Sequence, residues 1–215
     1  MGTRLTLAQS VRRAIDEEDE DNSHFSSDEI YDYINQAIRY MGADLEWPSQ
    51  RAQADPVADQ AVYTLPEDFI SLSDVYFDNN PLIVIDRSEL KAIQANWQDA
   101  VSGTPNYAYK SDNRKFGLFP KPSADAIADG EVIQIDYIKI PPDLADDVSI
   151  PDLHTVFQDC LPFYAAFLCE HKLGNDKRAD TNFNLYEVHK KRLTSKLQKF
   201  GEDLMRMRWS GNYGR

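Results

Sequence analysis

The chain has 215 residues but only 2 cysteines, 9 glycines and 4 histidines. Each shortage closes off a class of chemistry. Cys160 and Cys169 fall on one expected helix. At about 1.5 Å rise and about 100° per residue they face opposite ways, too far apart for a disulfide. They read as free, buried thiols suited to a reducing compartment. The glycines never cluster at phosphate-loop spacing, and no Gly-x-Ser-x-Gly elbow occurs. His24, His154, His171 and His189 form no HExxH pattern, and there is no CxxC, so no metal and no cofactor is expected. His171 follows Cys169 by two positions, which on a helix points the side chains about 200° apart and rules out a nucleophile–base pair. Long apolar runs are missing as well. The longest, Cys160–Cys169, is far short of the roughly 20 residues of a membrane span. The start, MGTRLTLAQSV, has no continuous apolar core of a secretion signal. It matches the loose myristoylation pattern, but the chain's acidity opposes docking on anionic lipid, so no membrane partner is expected.

Basic residues are scarce over most of the chain. Residues 1–174 carry 13 basic and 31 acidic side chains, a net of −18, whereas residues 175–215 carry 10 and 5, a net of +5. An acidic body repels phosphate, which excludes ordinary duplex-DNA binding by it. The basic end suits nucleic acid or an acidic protein surface.

What is present is periodic. Leu7, Val11 and Ile15 make a stripe for a first helix over 7–16, with Thr6 and Gln9 at capping-box spacing. Ser26 and Glu29 form a second capping box, with Phe25 and Ile30 at the staple positions. Ile30, Ile34, Ala37, Ile38, Met41 and Leu45 then repeat at threes and fours to Trp47-Pro48. Residues 49–60 read as irregular. Beyond them the period falls to two: a strand in AVYTLP, a hairpin of LSDVYF and LIVID around DNNP, a short helix capped by Ser88, and a hairpin of NYAY and KFGLF around SDNR. In that last hairpin Phe116 and Leu118 share one face and Phe119 takes the other. Residues 131–140, apolar on both faces, predict a central strand.

A third helix is expected over 152–173, kinked where Pro162 removes a hydrogen bond at a cost of about 3 kcal/mol. A fourth is expected over 176–200. Its positions Ala179, Phe183, Tyr186, Lys190, Leu193, Leu197 and Phe200 have heptad spacing, with Lys190 marking a boundary of the seam. The fold class is therefore α+β. Four main helices form an antiparallel bundle (1–48 and 151–200), a β-rich module (49–150) is inserted between helices two and three, and 201–215 forms an extended C-terminal arm.

Two segments stand out as candidate interaction sites. The run Asp16, Glu17, Glu18, Asp19, Glu20 and Asp21 lacks the alternation and glycine of a calcium loop and reads as a hydrated, mobile loop. Alternatively it forms an acidic wall past which DNA slides. The tail brings Arg206, Arg208, Trp209, Tyr213 and Arg215, residue types that dominate binding energy at protein interfaces, without a local core to bury them.

In order, LTLAQSVRRAID, FSSDEIYDYINQAIRYM, YTLPEDFISLSDVYFDNNPL and GTPNYAYKSDNRKFGLFPKP, followed by a strand ending in Pro-Pro and a helical last third, resemble the tailed-bacteriophage head-to-tail adaptor family. The resemblance covers about residues 4–195. It implies a structural virion protein of the neck, assembled in the host bacterial cytoplasm. It further implies a homo-oligomeric ring of about twelve copies below the portal protein, a tail or nozzle protein as second partner, DNA passing through without specific binding, and a C-terminal segment reaching the portal. It carries no catalytic residue, so no enzyme is expected. The longer acidic loop and the longer linker at 47–60 depart from the family. The alternatives are another tail-assembly component, such as a nozzle or tail-terminator subunit, and a carboxylate-based hydrolase.

Overall fold

The computed structural model describes residues 2–19, 23–128 and 130–210, the stretch 197–210 by its backbone alone. The chain divides into two compact units, residues 1–41 with 141–215, and residues 42–140.

The first unit is helical. Helix α1 (Arg4–Ala14) starts three residues earlier than the capping-box reading, because Thr3 is the N-cap and its side chain accepts from the Thr6 N–H. Helix α2 (Ser27–Asp44) follows the sequence closely, and its last turn crosses into the second unit. The Glu29 N–H donates to Ser26 Oγ at 3.2 Å, and Phe25, Ile30, Ile34, Ala37, Ile38 and Met41 are buried. The expected third helix is instead two, α4 (Thr155–Gln158) and α5 (Leu161–Lys172). Pro162 sits in the first turn of α5, where its missing N–H would have had no helical partner anyway. The proline opens a helix rather than kinking one.

Gly174, at φ 75°, reverses the chain into α6 (Asp176–Ser210). Residues 201–210 continue this helix, so that part of the C-terminal arm is helical, not extended. Helices α5 and α6 run antiparallel. The rings of Phe163 and His189, Tyr164 and Tyr186, and Phe167 and Phe183 meet at centroid distances of 5.4, 5.2 and 5.2 Å.

The second unit holds two four-stranded sheets. Its strands are β1 (Ser49–Ala54), β2 (Val62–Thr64), β3 (Phe69–Phe77), β4 (Asn80–Pro81), β5 (Ile83–Ile85), β6 (Tyr107–Asp112), β7 (Lys115–Phe119) and β8 (Ile133–Lys139). One sheet has the order β1-β8-β3-β4 and the other β2-β7-β6-β5. The sheets share a core of Tyr63, Val75, Phe77, Phe116, Leu118, Ile133, Ile135 and Tyr137. Strand β8 is interior, as its two-sided apolarity predicts. Phe116 and Leu118 face this core, while Phe119 packs with Leu90 and Tyr109 on the other side.

Three sequence expectations are corrected here. Residues 49–54 are not irregular but form β1, antiparallel to β8 from Ser49↔Ile138 to Ala54↔Ile133. The DNNP hairpin has only a two-residue return arm, β4. Next, β5 leaves for the other sheet and pairs parallel with β6. Helix α3 (Arg87–Ile93) is capped by Asp86 rather than Ser88, and the Asp86 N–H donates to Glu89 Oε2 at 3.0 Å.

Candidate functional site

The acidic run begins where α1 ends. Ile15 closes the helix and Asp16 takes φ 61°, so the chain turns sharply back. The turn is pinned from inside. Arg12, buried on α1, donates to Ser23 Oγ at 3.0 Å and Ser27 Oγ at 3.1 Å. The Glu17 carboxylate accepts from Ser23 Oγ (2.6 Å), the His24 N–H (3.1 Å) and His24 Nδ1 (2.7 Å). Partial burial alone would raise the Glu17 pKa, but these bonds from Ser23 and His24 outweigh it and hold the carboxyl below its usual value.

Asp16 is also committed, to Arg178 Nη2 at 2.9 Å. The same guanidinium reaches the buried Glu170 through Nε at 2.8 Å, and Asn175 Nδ2 donates to Glu170 Oε2 at 2.8 Å. These side chains line a cleft of about 410 Å³ with Glu18, Asp19 and His24. The expectation of six hydrated, mobile carboxylates therefore fails for Glu17, whose side chain is 13% exposed and held by Ser23 and His24, whereas Asp16 stays 80% exposed beside Arg178. Glu18 and Asp19 are exposed; Glu20 and Asp21 lie outside the described residues. Arg12, Glu170 and Arg178 were not singled out by sequence. The available signal was charge on an otherwise apolar face, Glu170 following FLC on α5.

Helix α6 carries the heptad seam. Ala179 and Tyr186 are buried and Phe183 half-buried against α5. Lys190 sets its ammonium over the Tyr186 ring, Nζ at 5.0 Å from the centroid, and pairs it with Glu187 at 2.7 Å. Leu197 and Phe200, and the arm residues Arg206, Arg208 and Trp209, stand on helical backbone, with side chains outside the described ones. Tyr213 and Arg215 lie outside the described residues. On the other side of α6, Leu185 and Val188 are exposed, Val188 at 65%.

Both thiols are free and buried. Burial and nearby acidic groups push Cys160 up to about 11 and Cys169 up to about 12. At neutral pH neither supplies the thiolate that nucleophilic chemistry needs. Among the described residues, no group of three or more His, Cys, Asp or Glu is placed to hold a metal. No described helix is long and apolar enough to cross a membrane.

The family model described as SU10 adaptor protein matches residues 3–213, nearly the whole chain. The chain belongs to this family. It is a phage head-to-tail adaptor family, a structural family rather than an enzyme family. Membership implies contacts with phage portal and tail components and a place in the virion neck. No curated protein matches the chain.

Proposed function

We propose that this adaptor assembles as a homo-oligomeric ring, of about twelve copies, beneath the portal, extends the DNA channel and presents the platform on which the tail or nozzle docks. The observation that carries this reading is the family match across residues 3–213. The charge division supports it: a body of net −18 and a C-terminal stretch of net +5. A channel wall of like charge to DNA gives the polymer no phosphate contact to stick to.

Within this reading, Glu18 and Asp19 with Glu20 and Asp21 face the channel, while Asp16 and Glu17 hold the turn that presents them. The C-terminal end of α6, with Arg206, Arg208, Trp209, Tyr213 and Arg215, anchors on the portal. Assembly takes place in the host bacterial cytoplasm. Purified chain mixed with its portal and imaged by electron microscopy tests the proposal, with a ring on the portal as the expected image. Absence of any ring on the portal and in virions overturns it. Deleting residues 205–215 should weaken attachment while leaving the folded body intact, and unchanged attachment would reject the anchoring role.

A further inference from the structure

Helix α6 has an outer face with no cover among the described residues. Thr181, Leu185, Val188, Arg192 and Lys196 are all exposed, and at about 100° per residue they fall within one arc of roughly 80°. The face is apolar at its start and cationic at its end. Arg192 and Lys196 are four residues apart, and two like charges at that spacing repel each other unless a counter-charge arrives.

Helix α2 carries the complement. Asp28 and Asp32 are also exposed and also four residues apart, and their stripe continues through Gln36 to the exposed ring of Tyr40. Among the described residues, none of these four charged side chains has a partner. This contrasts with their neighbours: Glu29 is paired with Lys172, Arg178 with Asp16 and Glu170, and Lys190 with Glu187.

The two pairs do not reach each other within one molecule. The Lys172–Glu29 contact places the start of α2 beside the end of α5, four residues before α6 begins. Arg192 is fourteen residues beyond Arg178 on a straight helix, which is about 21 Å further along the axis. A charged face that cannot reach its complement in its own chain, but meets it on an identical chain, defines a head-to-tail contact. Repeated with rotation, such a contact closes a ring.

We infer that the outer face of α6, Leu185, Val188, Arg192 and Lys196, docks on the Asp28–Asp32 face of α2 in a second copy of this chain. The inference rests on the ring reading above and names the surface that joins neighbouring protomers.

Charge reversal on the full chain, assembled on its portal and counted by native mass spectrometry and electron microscopy, tests it. The double variants R192E/K196E and D28K/D32K should each lose ring formation by at least about tenfold in concentration dependence. Mixed in equal amounts they should form rings again, since every interface then joins an altered face to its altered complement or a native face to its native one. That recovery also proves that both variants fold. Wild-type rings should loosen as salt rises from about 0.1 M to about 1 M. If wild type forms no ring on the portal, the ring reading falls and this inference with it. If wild type and both variants form rings equally, only this inference falls. Loss without recovery in the mixture overturns it too, as does an α6 face seated on the portal instead of on a neighbouring copy.

Discussion

The ring of Tyr109 on β6 covers Gly117, its antiparallel cross-strand partner on β7, so closely that a β-carbon at 117 would overlap the phenol. The glycine thus serves the close approach of a ring rather than a turn. Gly117→Ala should cost about 2–3 kcal/mol by overpacking, read as a lowered thermal midpoint for the β-rich unit. In a Tyr109→Ala background, itself destabilised by the cavity left at a buried ring, Gly117→Ala should cost almost nothing further, because the clash is gone. An unchanged midpoint in the single variant would show that the ring moves aside at no cost.

The Glu170–Arg178 contact gives a second expectation. Glu170 is 1% exposed and Arg178 47%, so removing the arginine strands a buried carboxylate while the arginine itself was partly solvated. Discounted for that exposure, Arg178→Ala should destabilise by about 1–3 kcal/mol. Adding Glu170→Gln should restore much of it. Chemical denaturation followed by helical circular dichroism measures both.

The buried thiols predict a pH limit. Cys169 titrates near 9.0 when free and is pushed to about 12 in the fold. A raised acid pKa means the folded state holds its proton more tightly. Its contribution to stability is whole below about 9 and is lost as pH climbs toward 12. Native protein at pH 8 should leave a thiol-reactive reagent untouched, and denatured protein should titrate two thiols. Rapid native labelling would contradict the burial.

Glu17 works in the opposite direction. Its carboxyl is held below its usual value by Ser23 and His24, against the upward pull of partial burial, so its contribution is present above that usual value and is lost as pH falls through the lowered one. Glu17→Gln should lower stability at neutral pH and flatten the acid limb of the stability curve. An identical acid limb in the variant would remove Glu17 from the account.

Much of this fold was legible in the sequence, for identifiable reasons. The α2 stripe from Ile30 to Met41, the interior placement of β8 and the division of Phe116 and Leu118 from Phe119 are periodic signals, and burial follows the period. The misses lie where period gives no information. Strand β1, SQRAQA, has almost wholly exposed side chains and is held by backbone bonds to β8, which leave no alternation to read. Strand β5 is as apolar as a hairpin arm, and only tertiary pairing sends it to β6. Pro162 reads the same inside a helix as at its start. In the acidic turn, composition suggested solvent, yet Glu17 is held by Ser23 and His24, six and seven residues on, and Asp16 pairs with the distant Arg178. The C-terminal helix ran past its apolar period because residues such as Leu204, Met205, Arg206 and Met207 need no packed stripe to remain helical.

Helix α6 is one uninterrupted rod from Asp176 to Ser210, about 52 Å long at 1.5 Å per residue. Its root is gripped by Asp16, Glu170 and the α5 rings. A tilt of one degree at that root displaces the far end by about 0.9 Å, by simple leverage on that length. Re-seating one guanidinium at the base therefore acts as the short arm of a lever, and any surface that engages the far end feels the motion magnified.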